Sequence, residues 1–166
     1  MTLDSIALWL SVKKSGRRDK MEKALKETLL GGKFANVSPV HSKRMSAVRS
    51  RGNKTTEISL RLGLVRAGIK GWKIHADGLI GNPDFYFPKK KLAIFVDGCF
   101  WHGCPRCGHV PSMNNQYWST KISRNRERDG AKSRELRKAG ITVIRFWEHE
   151  LKSDLPKCVG RIKRGF

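Results

Sequence analysis

The chain has 166 residues, with 35 Lys+Arg against 14 Asp+Glu and a formal net charge of +21. At 39% hydrophobic it can bury a core. That excludes a wholly disordered basic tail, and its apolar stretches fall far short of the ~18 residues of a membrane span. A surplus this large repels itself on folding, so a polyanionic partner is expected, nucleic acid ahead of an anionic membrane surface.

Residues 1–40 look like a basic extension. Met21, Leu25 and Leu29 have helical spacing over about two turns, which Gly31-Gly32 should end; a linker is expected near Asn36–Val40. No apolar run with a small-residue cleavage site opens the chain, so a secretory signal is not expected. From residue 41 to 166 the text is that of a folded domain. Thr55-Thr56 should cap a helix starting at Glu57, with Ile58, Leu62 and Val65 on its apolar face and Gly68 as its stop. Trp72–His75 and Asp84–Phe87 are expected strands, separated by a turn over Gly78–Pro83. Leu92–Val96 is a continuous apolar run, the pattern of a central strand buried on both faces. Gly98–Pro111 is irregular and rich in Cys, His and Gly. Tyr117–Ala139 has the length and charge pattern of one long amphipathic helix ended by Gly140. Ile141–Phe146 is another buried strand, and further helical turns follow from Trp147. The order predicts an α/β fold, a sheet flanked by helices.

The charge is uneven. Residues 1–56 carry thirteen basic and four acidic side chains, residues 57–118 eight and four, and residues 119–166 fourteen and six. Two basic flanks therefore surround a middle of ordinary composition. Clustered cations gain from counterion release on a phosphate backbone, which a single solvated Lys does not.

Cys104-Pro-Arg-Cys107 is a C-x-x-C knuckle, and Cys99 lies five residues upstream. Thiolates so spaced can converge on one tetrahedral zinc. His149, Cys158, His109 and His102 are candidates for the fourth ligand. A disulfide framework is the poorer reading without a secretory signal. Among the scarce acids, Asp84 opens a strand, Asp97 closes the next, and Glu57 begins a helix. Carboxylates at adjacent strand ends are what hold Mg²⁺ against a scissile phosphate in an α/β nuclease. His102, in Phe100-Trp101-His102, could take a proton from water at neutral pH. Two aromatics in a glycine-rich loop beside a basic surface suit stacking on bases or wedging between them.

The string Phe95-Val-Asp-Gly-Cys-Phe-Trp-His-Gly-Cys104, preceded by Gly81-Asn-Pro-Asp-Phe85, resembles the very-short-patch repair (Vsr) endonucleases. Tyr117-Trp118, Asn125-Arg-Glu-Arg-Asp129 and Arg145-Phe-Trp-Glu-His149 follow in the family's order; Ser42-Lys-Arg-Met45 and Thr55-Thr-Glu57 fit the start of its domain. The resemblance covers roughly Val40 to Leu151. It implies a PD-(D/E)xK-like, restriction-endonuclease-like fold with a central mixed sheet and a structural zinc. It implies Mg²⁺-dependent nicking of double-stranded DNA on the 5′ side of the T in a T:G mismatch, the product of 5-methylcytosine deamination.

By motif, Asp84 resembles the metal-binding aspartate and His102 the catalytic histidine. Glu57 and Asp129 resemble acids that hold metal-bound waters or orient the histidine, and the Val96 backbone carbonyl falls where the metal is contacted. Phe100, Trp101 and Trp118 resemble the wedge, and Met45 a residue reaching the opposite groove. Arg124, Asn125 and Arg128 are expected DNA contacts. The zinc set implied is Cys99, Cys104, Cys107 and His149, with His149 preferred over Cys158. Asp97 stands where some members have His; it is kept among the catalytic candidates, as a metal ligand or a phosphate-facing neighbour. A monomer, a cytoplasmic, nucleoid-associated location in a bacterial or phage setting and a MutL-type partner are the remaining expectations. The rival is a homing or restriction-type endonuclease on the same scaffold, cutting intact duplex. A zinc-containing DNA-binding module without activity would leave Glu57, Asp84, His102 and Asp129 without a joint purpose.

Overall fold

The computed structural model describes residues 23–27, 29, 56–74, 76 and 78–166. Helix α1 (Glu57–Arg66) leads to strands β1 (Lys73–Ile74) and β2 (Phe85–Phe87). A 3₁₀ turn over Pro88–Lys90 joins β2 to β3 (Leu92–Asp97); then come helix α2 (Asn115–Lys138), strand β4 (Thr142–Trp147), and helices α3 (Glu148–Ser153) and α4 (Leu155–Arg164). This is the expected order. Of the expected strand at Trp72–His75, Lys73–Ile74 forms β1 and His75 lies outside the described residues. Trp72 instead packs edge-on against Phe85, with ring centroids 5.5 Å apart, and its indole N–H donates to the Ile69 carbonyl.

The four strands lie in chain order, β1-β2-β3-β4. The first two pairings are antiparallel and β3–β4 is parallel, with α2 as its crossover. Side chains alternate across the sheet. Phe85, Phe87, Leu92, Ile94 and Phe146 meet α1, α3 and α4 through Leu60, Leu64, Leu151, Val159 and Ile162. Ala93 and Phe95 turn the other way, toward Leu136 of α2 and Ile141. Burial on both faces is why the β3 run is unbroken by polar residues until Asp97.

Helix α1 buries a different face from the expected one. Ile58, Leu62 and Val65 are 37%, 48% and 59% exposed, whereas Leu60, Gly63 and Leu64 are buried. The helix carries apolar residues around its circumference, so periodicity alone does not choose. Gly63 decides: a Cβ there would lie 3.1 Å from Val159 and 3.2 Å from Leu155, so α4 approaches closely on that side. Thr56 precedes the helix but its hydroxyl caps nothing. At the other end of the chain, Asp154 separates α3 from α4 and its carboxylate accepts from the Lys157 N–H at 2.9 Å.

Residues 23–26 form a helical turn, and Leu25 and Leu29 are buried against Tyr117, beside Trp118. Part of the basic extension thus docks on the first turn of α2. Gly31-Gly32, the expected linker, Met45 and Thr55 lie outside the described residues. No helix among the described residues is long and apolar enough to cross a membrane.

Candidate active site and metal centre

The site forms where β2 begins and β3 ends. Asp84 immediately precedes β2, and its Oδ2 accepts the Val96 N–H at 2.7 Å. Burial pushes its pKa up to about 7; the negative fields of Glu57 and Asp97 add to this, while the Val96 N–H and Arg145 oppose it. A carboxylate crowded by other acids in a buried setting is a place where a cation would relieve charge.

The chain leaves β3 at Asp97 and turns tightly. Backbone bonds run from His102 N to Gly98 O, from Gly103 N to Phe100 O and from Cys104 N to Cys99 O. Gly103 has φ of 63°, and a Cβ on it would lie 2.6 Å from Cγ2 of Ile122, so the loop rests directly on α2. Asn125 of α2 secures it by donating to the Trp101 carbonyl at 2.8 Å.

Seated there, His102 points Nδ1 at Oδ2 of Asp129, 2.6 Å away, with Asp97 Oδ1 at 3.6 Å. Burial works to raise the Asp129 pKa. The bond from His102 and the charges of His102, Arg128 and Arg145 outweigh it and hold the carboxyl below its ordinary value. An ionised carboxylate only accepts, so Nδ1 is the donor of this bond, and in the neutral imidazole the lone pair is therefore on Nε2. Phe100, Trp101 and Trp118 surround the histidine's loop as an edge-to-face cluster, with centroids 5.0 Å (Phe100–Trp101), 5.3 Å (Phe100–Trp118) and 5.9 Å (Trp101–Trp118) apart.

The same loop supplies the second cluster. In the β3–β4 register Asp97 pairs with Trp147, so Cys99 and His149, each two residues further on, leave adjacent strand ends together. Nδ1 of His149 lies 3.3 Å from Cys99 Sγ, 3.5 Å from Cys104 Sγ and 3.4 Å from Cys107 Sγ; the two knuckle sulfurs are 3.6 Å apart. These four residues form a possible metal-binding group. Burial acts to raise the Cys104 pKa, but the backbone N–H groups of Cys107 and Arg106 and the neighbouring thiols bring it below its ordinary value. Contact with Cys99 pushes the Cys107 thiol up to about 12, helped by burial and Cys104. Three sulfurs this close ionise together only around a cation. Cys158 is elsewhere, in the core with Leu60 and Leu64, and His109 lies against Phe100.

The remaining DNA candidates are on α2. Arg128 is exposed and holds Asp129 Oδ1 at 3.3 Å. Arg124 has a buried Nη1 without a hydrogen-bond partner. Met45 lies outside the described residues.

A family model described as DNA mismatch endonuclease Vsr matches residues 38–107. A type II nicking enzyme, V.NaeI of Lentzea aerocolonigenes, is 43% identical over 129 residues, 75% of this chain and 77% of the relative. The type II nicking enzyme V.XorIIP of Xanthomonas oryzae pv. oryzae is 40% identical over 121 residues, 72% of this chain and 86% of the relative. The DNA mismatch endonuclease Vsr of Escherichia coli is 31% identical over 121 residues, 70% of this chain and 77% of the relative. The chain belongs to the Vsr family. It is a DNA endonuclease, a hydrolase that cleaves DNA.

The Vsr match spans Glu57, Asp84, His102 and the three loop cysteines; Asp129 and His149 lie beyond it. So does Arg145, the first residue of the Arg145-Phe-Trp-Glu-His149 motif. Its guanidinium holds Asp97 through Nε at 2.6 Å and Nη2 at 2.5 Å. The signal is its place in the strand: apart from Thr142 at the strand's exposed start, Arg145 is the one polar side chain of Ile141–Phe146, and a half-buried charge there requires a partner in the protein.

Proposed function

We propose that this Vsr-family endonuclease uses Mg²⁺ to nick one strand of duplex DNA on the 5′ side of the T in a T:G mismatch. The observation that carries the reading is the union of two devices on one loop: Phe100 and Trp101, packed against Trp118 of α2, and a histidine paired to Asp129 at 2.6 Å. A wedge beside a base costs a few kcal/mol of unstacking, least where pairing is already poor, which favours a mismatch. Placing the base on the same short loop fixes the cut relative to the wedge.

The residues fit both metals. Zinc bonds of about 2.3 Å to sulfur and 2.0–2.1 Å to nitrogen give tetrahedral edges of about 3.8 Å between sulfurs and about 3.5 Å from sulfur to nitrogen. The Cys99–Cys104–Cys107–His149 separations of 3.3–3.6 Å are close to this. Zinc there would clamp the loop to the end of β4. At the catalytic position, Asp84 would hold Mg²⁺ together with the Val96 carbonyl. The N–H and C=O of one strand residue point the same way, and the Val96 N–H already faces Asp84. Bound Mg²⁺ supplies charge stabilisation at the scissile phosphate and the leaving 3′ oxygen. Nε2 of His102 accepts a proton from the attacking water, and Asp129 stabilises the imidazolium that results. Glu57 sits within the electrostatic reach of Asp84 and would orient water. A mixed sheet with carboxylates at adjacent strand ends supports the PD-(D/E)xK-like assignment. The basic flanks suit non-specific phosphate contacts, with Arg124 and Arg128 on the same helix as Asp129. The family resemblance extends the proposal to a monomer working in the cytoplasm with a MutL-type protein.

One observation favours a second reading, cleavage of intact duplex at a specific site: several relatives are named type II nicking enzymes. A nicking assay in Mg²⁺ on T:G and matched C:G duplexes, each strand labelled in turn, separates the two. Nicking confined to the T:G duplex on the 5′ side of T supports repair. Equal cutting of C:G supports the second reading, and cutting of neither sinks both.

A further inference from the structure

We propose that Arg145 is a positioning residue: it locks Asp97 and Asp129 around His102, and Asp97 is part of that lock rather than a ligand of the catalytic metal. The proposal rests on His102 being the base of the reaction.

The placement follows from strand register. Arg145 pairs with Phe95 across β3–β4, and Asp97 is two residues further along β3. All three side chains therefore share the face toward α2. The guanidinium lies over the Phe95 ring, 4.7 Å from its centroid, which orients its plane. Its Nε and Nη2 take both oxygens of Asp97. Nη1 donates to Ser133 Oγ at 3.2 Å, and that hydroxyl donates to the Asp129 carbonyl at 2.8 Å. Nη2 also lies 3.7 Å from Asp129 Oδ2. One side chain thus ties β4 to β3 at Asp97 and to α2 at Asp129.

The charge argument points the same way. Asp129 and Asp97 both face Nδ1 of His102, at 2.6 and 3.6 Å. Two carboxylates converging on one N–H repel each other and would drift apart without a cation between them. Arg145 supplies that cation, and its fork engages both Asp97 oxygens, leaving Asp97 a poor metal ligand in a site where Asp97 is 4% exposed. A lysine has no fork and would restore charge without orientation.

The test compares Arg145→Gln, Arg145→Lys and Asp97→Asn on whichever duplex the wild-type protein cuts, so a wrong substrate leaves it usable. If no duplex is cut, the underlying reading fails instead. Single-turnover rate, DNA dissociation constant, Mg²⁺ half-saturation and melting temperature are measured for each. The expected result is a rate loss on the order of 100-fold for Arg145→Gln, as for other small misplacements of a reacting group. DNA affinity and Mg²⁺ half-saturation should stay within about twofold of wild type, and Arg145→Lys should recover little. In an Asp129→Asn background, Arg145→Gln should add almost nothing, because both act through His102. If Arg145→Gln does not fold, the near-isosteric Asp97→Asn carries the same measurements. A tenfold or larger rise in Mg²⁺ half-saturation for Asp97→Asn overturns the proposal. So does a loss of DNA affinity in Arg145→Gln that matches its loss of rate.

Discussion

Nδ1 of His102 lies 2.6 Å from Oδ2 of Asp129, a bond that joins the aromatic loop to the middle of α2. It fixes the tautomer of the neutral ring, with Nε2 as its basic nitrogen, and anchors the loop of Phe100 and Trp101 to the longest helix described. The position and tautomer of His102 therefore rest first on Asp129, its nearer carboxylate.

Asp129→Asn tests that dependence. An amide offers no negative charge to stabilise the imidazolium, and it can present an NH₂ group that selects the wrong tautomer. Nicking should fall by about 10²–10⁴-fold, the usual range for lost acid–base catalysis. His102→Ala should abolish nicking while the melting temperature stays near wild type. Rapid-quench measurement of a single turnover checks both; a fast Asp129→Asn enzyme would remove Asp129 from the mechanism.

Asp84 sets a pH dependence of known sign. Its folded pKa is near 7 against an ordinary 3.8. Without Mg²⁺, between about pH 4 and 7 the unfolded chain has lost this proton while the folded one keeps it. Stability is therefore fully present below that window and is lost as pH rises through it, by up to about 4 kcal/mol. Asp129, shifted the other way, contributes stability that fails only as pH drops below the ordinary carboxylate range, outside the window. Asp84→Asn keeps an oxygen for the Val96 N–H and removes the charge. It should stabilise the Mg²⁺-free protein at pH 8, flatten its stability between pH 5 and 8, and abolish nicking. Urea unfolding across that range measures the first two effects.

The metal cluster predicts a paired outcome. Cys104→Ser removes a sulfur whose neighbours lie 3.5–3.6 Å away, so the purified protein should lose zinc and melt well below wild type. Cys158→Ala, in the core against α1, should keep one zinc per chain and lose only packing energy, about 1–2 kcal/mol. Elemental analysis decides: one zinc retained in Cys104→Ser refutes the ligand set.

Much of this was legible in the residues because local pattern and tertiary role agree. The apolar run at Leu92–Val96 marked the central strand, and the spacing of Cys99, Cys104 and Cys107 marked three sulfurs of one cluster. The fourth member of the cluster needed the family motif, because His149 joins the sulfurs through the parallel register of β3 and β4, and spacing carries no trace of that register. Helix α1 turned the other way because its buried face is chosen by contact between Gly63 and a helix some ninety residues on. Arg145 escaped for a related reason: its partners Asp97 and Ser133 are on other elements. The aromatic motif was legible as a motif, but its seat on α2 was not.

That seat gives the last prediction. Gly103 holds a φ of 63° one residue after His102, and its missing Cβ makes room for Ile122 Cγ2. Gly103→Ala forces a left-handed conformation on a side chain, costing about 1–2 kcal/mol, and drives a methyl into the helix. The loop must lift, carrying Trp101, His102 and Cys104 with it, so nicking and thermal stability should fall together. The two causes are separable. Ile122→Ala alone opens a small cavity under the loop and should cost stability with modest loss of rate. Combined with Gly103→Ala it removes the clash and leaves the backbone strain, so the double variant should nick faster than Gly103→Ala alone. A double variant as slow as the single one would place the whole cost in the backbone and show that contact with Ile122 does not seat the loop.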